Sequence, residues 1–280
     1  MKKLLQLEWL KIYNYKTARI FIILYCFFLF GLILLGTQKF KLGTMEVDLV
    51  GQGIFNYPQL WNFTTYFTAI IKIFLAFIII TTVVNEFQNR TFKQNIIDGL
   101  TKKEFLASKV LTIVILSAVS TILVFIFSLI FGAKYNTVPN PEYKFAEVGL
   151  IVAYFFKLVA FLMLCLLFSI LIRKSAFTFV LPFLWWFVEG ILGGIEKWMR
   201  LKDVLADDGK SIQFVTDYLP LSAMSNSIPA PIGRLNIVKT ILQPGSDVIQ
   251  RVPWEFVLAS AGYAIVFVIL SYVILKKRDW

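Results

Sequence analysis

Six long apolar runs constrain this chain more than any other feature of its sequence. A bilayer core about 30 Å thick is crossed by about 20 helical residues, and each run has close to that length. The sequence therefore predicts an all-α integral membrane protein with six transmembrane helices, at approximately 18–36, 63–84, 110–132, 148–172, 176–193 and 256–275.

The overall composition agrees with a membrane protein. Of the 280 residues, 58% are hydrophobic and 16% charged, and the mean hydropathy is +0.75, well outside the range of soluble domains. A net charge of +11 would suggest a nucleic-acid partner in a soluble protein. Here the basic residues mostly flank the apolar runs, where they meet anionic lipid head groups, so we expect membrane lipids and no nucleic acid as partners.

The chain contains no histidine and only two cysteines, Cys26 and Cys165. Serine–histidine and cysteine–histidine nucleophile pairs and histidine metal sites are therefore excluded. A phosphate-binding loop also needs a glycine five residues before its Gly-Lys-[Ser/Thr] ending; Gly209-Lys210-Ser211 has that ending, but the position of the first glycine holds Val204. We expect no catalytic, cofactor or metal site and no enzymatic activity in this chain.

The basic residues predict that both termini are cytosolic, because short cytosolic loops are enriched in Lys and Arg. The short loops on the opposite side carry four, at Lys39, Lys41, Lys134 and Lys144. The predicted cytosolic side carries fifteen: Lys2, Lys3, Lys11, Lys16, Arg19, Arg90, Lys93, Lys102, Lys103, Lys109, Arg173, Lys174, Lys276, Lys277 and Arg278.

Three polar segments complete a single transmembrane domain over 1–280. Residues 1–17 predict a helix at the cytosolic interface, since apolar residues recur there at helical spacing among lysines. Residues 194–255 form a long extracytoplasmic segment, which we expect to fold as short helices and turns. Residues 85–109 form a charged cytosolic elbow. There the second helix continues to Ile97, Asp98-Gly99 makes a turn, and Thr101 with Glu104 forms a capping box that starts the next helix.

This elbow resembles the segment between the second and third helices of type 2 permeases of ATP-binding-cassette (ABC) transporters. In that family an acidic residue stands at the end of the second helix, and a Gly-x-[Ser/Thr]-[Arg/Lys]-x-Glu-Phe run precedes the third. Glu86 stands at the first position, and Gly99, Thr101, Lys102, Glu104 and Phe105 match the run. The order of the six spans and the long outer segment is similar as well.

The resemblance implies a permease subunit of an ATP-driven exporter in the cytoplasmic, or inner, membrane. It also implies a separate ABC ATPase that binds ATP and magnesium, and a second copy of this chain or a similar permease. The cargo and the composition of the dimer stay open, as does whether the ATP-driven motion serves export or another purpose. The positions that the resemblance assigns to the ATPase interface are Glu86, Arg90, Asp98, Gly99, Lys102, Glu104 and Lys109.

Three ionisable residues fall within the apolar runs, at Lys72, Lys157 and Glu189. A charge at the centre of a bilayer costs about 2.5 kcal/mol or more, and helical rise places all three at a similar depth in the outer half. One interpretation is an ion pair of Glu189 with a lysine along a substrate path. In the other, the lysines reach the outer head groups and Glu189 lies near a helix end.

Two further functions remain open from the sequence. A membrane-embedded enzyme would need several reactive groups at one depth, and only Lys72, Lys157 and Glu189 are available. A membrane scaffold or sensor without transport would use the long segment 194–255. A stoichiometric ATPase partner would separate the permease from both alternatives.

Overall fold

The structure is a computed structural model that describes residues 2–42, 45–137, 144–200, 214–231 and 251–277. Six helical segments in this part of the chain are long and apolar enough to cross a membrane, which confirms the predicted fold class. They are α2 (Lys16–Gly36), α3 with α4 (Gln59–Thr68 and Lys72–Gln88), α6 (Lys102–Tyr135), α7 (Gly149–Ile172), α8 (Ser175–Met199) and α10 (Trp254–Lys277).

Shorter elements connect these spans. Helix α1 (Lys2–Asn14) precedes α2, and α5 (Thr91–Ile97) lies between α4 and α6. A 3₁₀ turn at Val215–Tyr218 and helix α9 (Pro220–Asn226) follow α8. The described part of the segment 194–255 thus contains short helices, as predicted; residues 201–213 and 232–250 lie outside the described residues.

One element has no counterpart in the sequence prediction. Strand β1 (Lys39–Leu42) pairs with β2 (Met45–Asp48) in an antiparallel hairpin after α2. The Lys39 ammonium lies 2.9 Å from the Asp48 carboxylate across the ends of the two strands, and the Asp48 carboxylate also accepts a hydrogen bond from Gly51 N.

Helix α7 is the centre of the bundle. It packs against α4, α6, α8 and α10, and almost all its side chains from Leu150 to Ile170 are buried. Because it is apolar all round, it has no side suited to water, as expected of a core helix in a large bundle. Helix α8 packs against it after a tight turn in which Arg173 adopts a left-handed conformation (φ 58°).

Three hydroxyl groups join α2, α6 and α7 inside the bundle. Ser120 Oγ lies 2.5 Å from Tyr25 Oη and 3.0 Å from Tyr154 Oη, and the two tyrosine oxygens are 3.4 Å apart. All three groups are buried. Hydrogen bonds of this kind hold transmembrane helices together where the hydrophobic effect between helices is absent.

We predict that Tyr154→Phe lowers the stability of the bundle by about 1 kcal/mol, because it leaves Ser120 and Tyr25 with one fewer partner. Thermal unfolding of the detergent-solubilised protein measures this effect. Tyr13→Phe is the matched control, since Tyr13 is 62% exposed on α1. Equal unfolding midpoints for the two variants would show that the hydroxyl cluster contributes nothing.

Candidate functional site

The segment between α4 and α6 has a defined backbone shape. Helix α4 ends at Gln88, and Arg90 adopts a left-handed conformation (φ 58°) before α5 begins at Thr91. Gly99 (φ 99°) reverses the chain after α5. The prediction that the second helix continues to Ile97 is therefore wrong, because a left-handed residue cannot extend a right-handed helix.

The start of α6 is fixed by a reciprocal pair of hydrogen bonds. Glu104 N donates to Thr101 Oγ1 over 3.2 Å, and Thr101 N donates to Glu104 Oε2 over 2.9 Å. This is the capping box that the spacing of Thr101 and Glu104 predicts. It satisfies two backbone donors that the first turn of a helix otherwise leaves free.

Three aromatic rings attach α5 to the bundle. The ring of Phe92 on α5 lies 5.0 Å from the ring of Phe87 on α4 and 4.6 Å from the ring of Phe105 on α6. Phe92 is only 1% exposed. Aromatic pairs at these distances add to the free energy of burial, so α5 is anchored by its first turn and presents its opposite side outward.

A buried cluster of four charges lies directly beneath this segment. The Lys109 ammonium lies 2.6 Å from the Glu8 carboxylate and also contacts the Glu86 carboxylate. Lys11 lies 3.1 Å from both carboxylates. Glu8, Glu86 and Lys109 are almost fully buried. Two acids and two bases give the cluster no net formal charge. Its salt bridges between helices together connect α1, the end of α4 and the start of α6.

The environment of the cluster shifts the pKa of two groups on α1. Burial favours neutral Glu8, but the attraction of Lys109 and Lys11 outweighs it and lowers the pKa of this carboxyl below 4.5. Burial likewise opposes the charge on Lys11, yet Glu86 and Glu8 raise its pKa above 10.5. Both groups are therefore charged at neutral pH.

The structure divides the sequence-predicted interface residues into two sets. Glu86 and Lys109 are buried in the charge cluster, so neither is available at the surface. The remaining residues lie on the surface of the elbow, with Lys102 partly covered and its ammonium 3.5 Å from the Lys276 carbonyl oxygen. The exposed ones are Arg90, Asp98, Gly99 and Glu104.

Sequence reasoning missed three residues of this region. Glu8 and Lys11 are three positions apart on α1 and form a salt bridge there, a spacing that could have indicated an acid–base pair on one helix face. Ile97, the last residue of α5, is 83% exposed among polar neighbours. Single exposed apolar side chains are common on protein surfaces, so Ile97 is of interest because of its position at the end of α5 in the elbow.

Contacts bring the connecting segments that are rich in Lys and Arg to one end of the bundle. Gln88 donates to the Arg173 carbonyl oxygen at the α7–α8 turn over 3.3 Å, and Lys102 reaches the end of α10 at Lys276. Helix α1 joins the same end through the charge cluster. The segments predicted to be cytosolic from their basic residues therefore share one side of the molecule.

The three charged residues of the spans do not form one cluster. Lys72 and Lys157 line the same cavity, whereas Glu189 is absent from its lining. Among the described residues, no salt bridge joins Glu189 to either lysine. The proposed ion pair is thus not formed, and Lys157, at 6% exposure, is buried rather than extended to the head groups.

Glu189 instead holds the first turn of α9. Its carboxylate accepts hydrogen bonds from Leu221 N (3.1 Å) and Ser222 N (2.7 Å). Glu196, seven residues along α8, accepts from Val215 N (3.0 Å) and Thr216 N (2.9 Å) in the same manner. Two carboxylates on one face of α8 therefore fix the described segment 214–226 over the bundle, because carboxylates satisfy the free amides of a helix start.

Comparison with known proteins identifies one family. The family model described as "ABC-2 family transporter protein" matches residues 36–275. The match covers the six spans except for most of α2, and it includes the elbow and the lysine-lined cavity. No curated protein matches the chain.

We predict that Lys109→Met destabilises the protein by about 3–5 kcal/mol, because it leaves two buried carboxylates with Lys11 alone. The unfolding midpoint of the purified protein reports the loss. Lys93→Met removes a lysine exposed on α5 and serves as the matched control. Adding Glu86→Gln to Lys109→Met should recover part of the lost stability; a double variant less stable than Lys109→Met would contradict the pairing.

The lowered pKa of Glu8 predicts a loss of stability in acid. The stabilisation from ionised Glu8 is complete above 4.5, its value in the unfolded chain, and disappears as the pH falls through the lower folded value. Unfolding midpoints between pH 7 and pH 3 should fall less steeply in Glu8→Gln than in the unchanged protein. Glu255→Gln, at an exposed position on α10, should keep the original slope.

Proposed function

Because the chain belongs to the ABC-2 family of transporter proteins, we propose that it is the permease subunit of an ATP-driven exporter in the cytoplasmic membrane, with both termini in the cytosol. Family membership and the six spans make it a membrane component of a transporter. A separate ABC ATPase binds and hydrolyses ATP with magnesium, and a second permease, either an identical or a similar chain, completes the complex.

The exposed side chain of Ile97 is the observation that best supports this proposal. Its 83% exposure is unfavourable in water, since full burial of such a side chain is worth about 1.5–3 kcal/mol. Asp98 follows it directly, and Arg90 and Glu104 are further exposed polar residues of the same elbow. An apolar centre with a charged rim is typical of a protein interface, and the ATPase is the partner that the family implies.

The structure beneath Ile97 supports transmission of force. The Phe92 ring cluster attaches α5 to the helices on either side, and the buried charges connect those helices to α1. Helix α6 starts at the capping box and is continuous from Lys102 to Tyr135. Movement of the elbow would therefore be passed to the third span and to α1, rather than absorbed by a flexible loop.

We predict that Ile97→Asp reduces co-purification with the ATPase at least tenfold, while the permease alone unfolds at an unchanged temperature. The substitution removes the apolar contact and places a charge at the centre of the interface. The measurement is the ATPase-to-permease ratio after gentle detergent extraction, with a co-expressed candidate ABC ATPase subunit as the bait.

Two controls separate the apolar contact from added charge. Ile97→Leu keeps the apolar side chain and should retain the complex. Asn89→Asp adds the same charge at another exposed elbow position and should weaken binding little. Full co-purification of Ile97→Asp would reject Ile97 as an anchor, and repeated absence of any ATPase with the unchanged protein would reject the proposed function.

A further inference from the structure

A cavity of about 420 Å³ lies between α4, α7, α8 and α9. Its volume falls within the range of sites that hold small organic ligands. Most of the wall is aliphatic or aromatic, but two ammonium groups interrupt it, from Lys72 and Lys157. The apolar part of the wall includes Ile73, Phe77, Phe161, Phe179, Phe183 and Trp186.

Lys157 is the more deeply placed of the two lysines. It is 6% exposed on the central helix α7. Its ammonium donates one hydrogen bond, over 3.3 Å, to the carbonyl oxygen of Ser225 in α9. An ammonium has three donors, and the described residues supply this single oxygen. The group therefore has capacity for a further acceptor inside the cavity.

Lys72 stands on the opposite wall at the first residue of α4. Its ammonium lies 4.3 Å from the centroid of the Phe161 ring, a cation–π contact with α7. The span is irregular just before it, where Ile70 N and Ile71 N donate to carbonyl oxygens three residues earlier. Such an interruption within a span is tolerated where the backbone lines a cavity.

Both lysines lack an acidic partner in the part of the chain that the structure describes. None of the cavity-lining residues is an Asp or a Glu, and Glu189 is occupied by the backbone amides of α9. An unpaired charge within a span is costly, and such charges mark functional sites in membrane proteins. A bound anion would supply the missing opposite charge.

The cavity also opens toward the outside of the bundle. Ile70, Phe183 and Trp186 line it and are 56% to 64% exposed, so the opening lies between the second span and α8. In a membrane this opening faces acyl chains or a neighbouring subunit rather than water. A ligand entering from the bilayer would place its head group at the lysines and its tail along the aromatic wall.

We propose that this cavity binds an anionic phospholipid, with its phosphate between Lys72 and Lys157 and an acyl chain against Phe179, Phe183 and Trp186. Two ammonium groups provide the positive charge for the phosphate, and the apolar wall matches the chain. This site is separate from the elbow, and the inference requires neither ATPase docking nor transport.

The test is native mass spectrometry of the purified full-length protein with dioleoylphosphatidylglycerol and dioleoylphosphatidylcholine. These lipids share their tails and differ in net charge. We expect the anionic lipid to bind about tenfold more tightly, and Lys72→Met or Lys157→Met to remove most of that preference. Lys134→Met is the matched control at an exposed position on α6 and should retain the preference.

Because Lys157 is buried, its replacement can destabilise the bundle. The decisive comparison is therefore between the two variants at Lys72, which is less buried. Lys72→Arg keeps the charge and should retain the preference that Lys72→Met loses. Equal binding of both lipids to the unchanged protein would overturn the proposal. An equal loss in Lys134→Met would also overturn it, since the attraction would then come from the overall surface charge.

A third probe separates a lipid site from a simple anion site. Glycerol 3-phosphate carries a phosphate without an acyl chain and should not displace the bound lipid at equal concentration. Displacement at equal concentration would show an anion site with no role for the apolar wall. All arms use the permease alone, so failure of this proposal leaves the proposed transport function intact, and the reverse also holds.

Discussion

The burial of Lys109 between Glu8 and Glu86 is the interaction on which the elbow end of this structure depends. An ammonium that is 3% exposed is tolerable only with close opposite charges, because desolvation of an ion costs several kcal/mol. Its two carboxylates come from different helices, α1 and α4, and Lys11 balances the remaining charge. Three elements distant in sequence must therefore meet at one point, and the position of α5 above them follows from that meeting.

The central and peripheral helices of the bundle differ in whether this chain alone covers their apolar side chains. Helix α7 is buried by α4, α6, α8 and α10, so its apolar side chains are covered within this chain. Helix α8 exposes large side chains such as Phe183, Trp186 and Trp198 and depends on lipid or another subunit to cover them. Its two buried carboxylates, Glu189 and Glu196, face the short helices of the following segment instead. The lysine-lined cavity lies where these two kinds of helix meet.

Sequence reasoning was most accurate where the physical signal was local. Thr101 and Glu104 are three residues apart, and the capping box they predict is present, because its two hydrogen bonds need only one turn of helix. It was least accurate for charges. Glu86 and Lys109 were predicted at a surface but are buried. A charged residue is expected to be exposed unless a partner for it is known, and the partners of Lys109 are distant in sequence: Glu8 is 101 positions away and Glu86 is 23. Glu189 was considered as a partner for a lysine, whereas it accepts hydrogen bonds from the Trp185 and Ser222 side chains and from two backbone amides of α9. Backbone amides carry no signal in the sequence.

The sequence by itself determined the six spans and the polar segment at 85–109 between two of them. Chain length and hydropathy are sufficient for this, because the bilayer imposes a fixed thickness and forbids unpaired backbone groups. The sequence did not show that the apolar run at 148–172 is the central helix. Only the tertiary structure decided which charges are buried together, which side chain the elbow exposes, and that Lys72 and Lys157 share a cavity without Glu189. Those outcomes depend on distances between helices, and an interaction that falls off with distance cannot be assigned before the helices are placed.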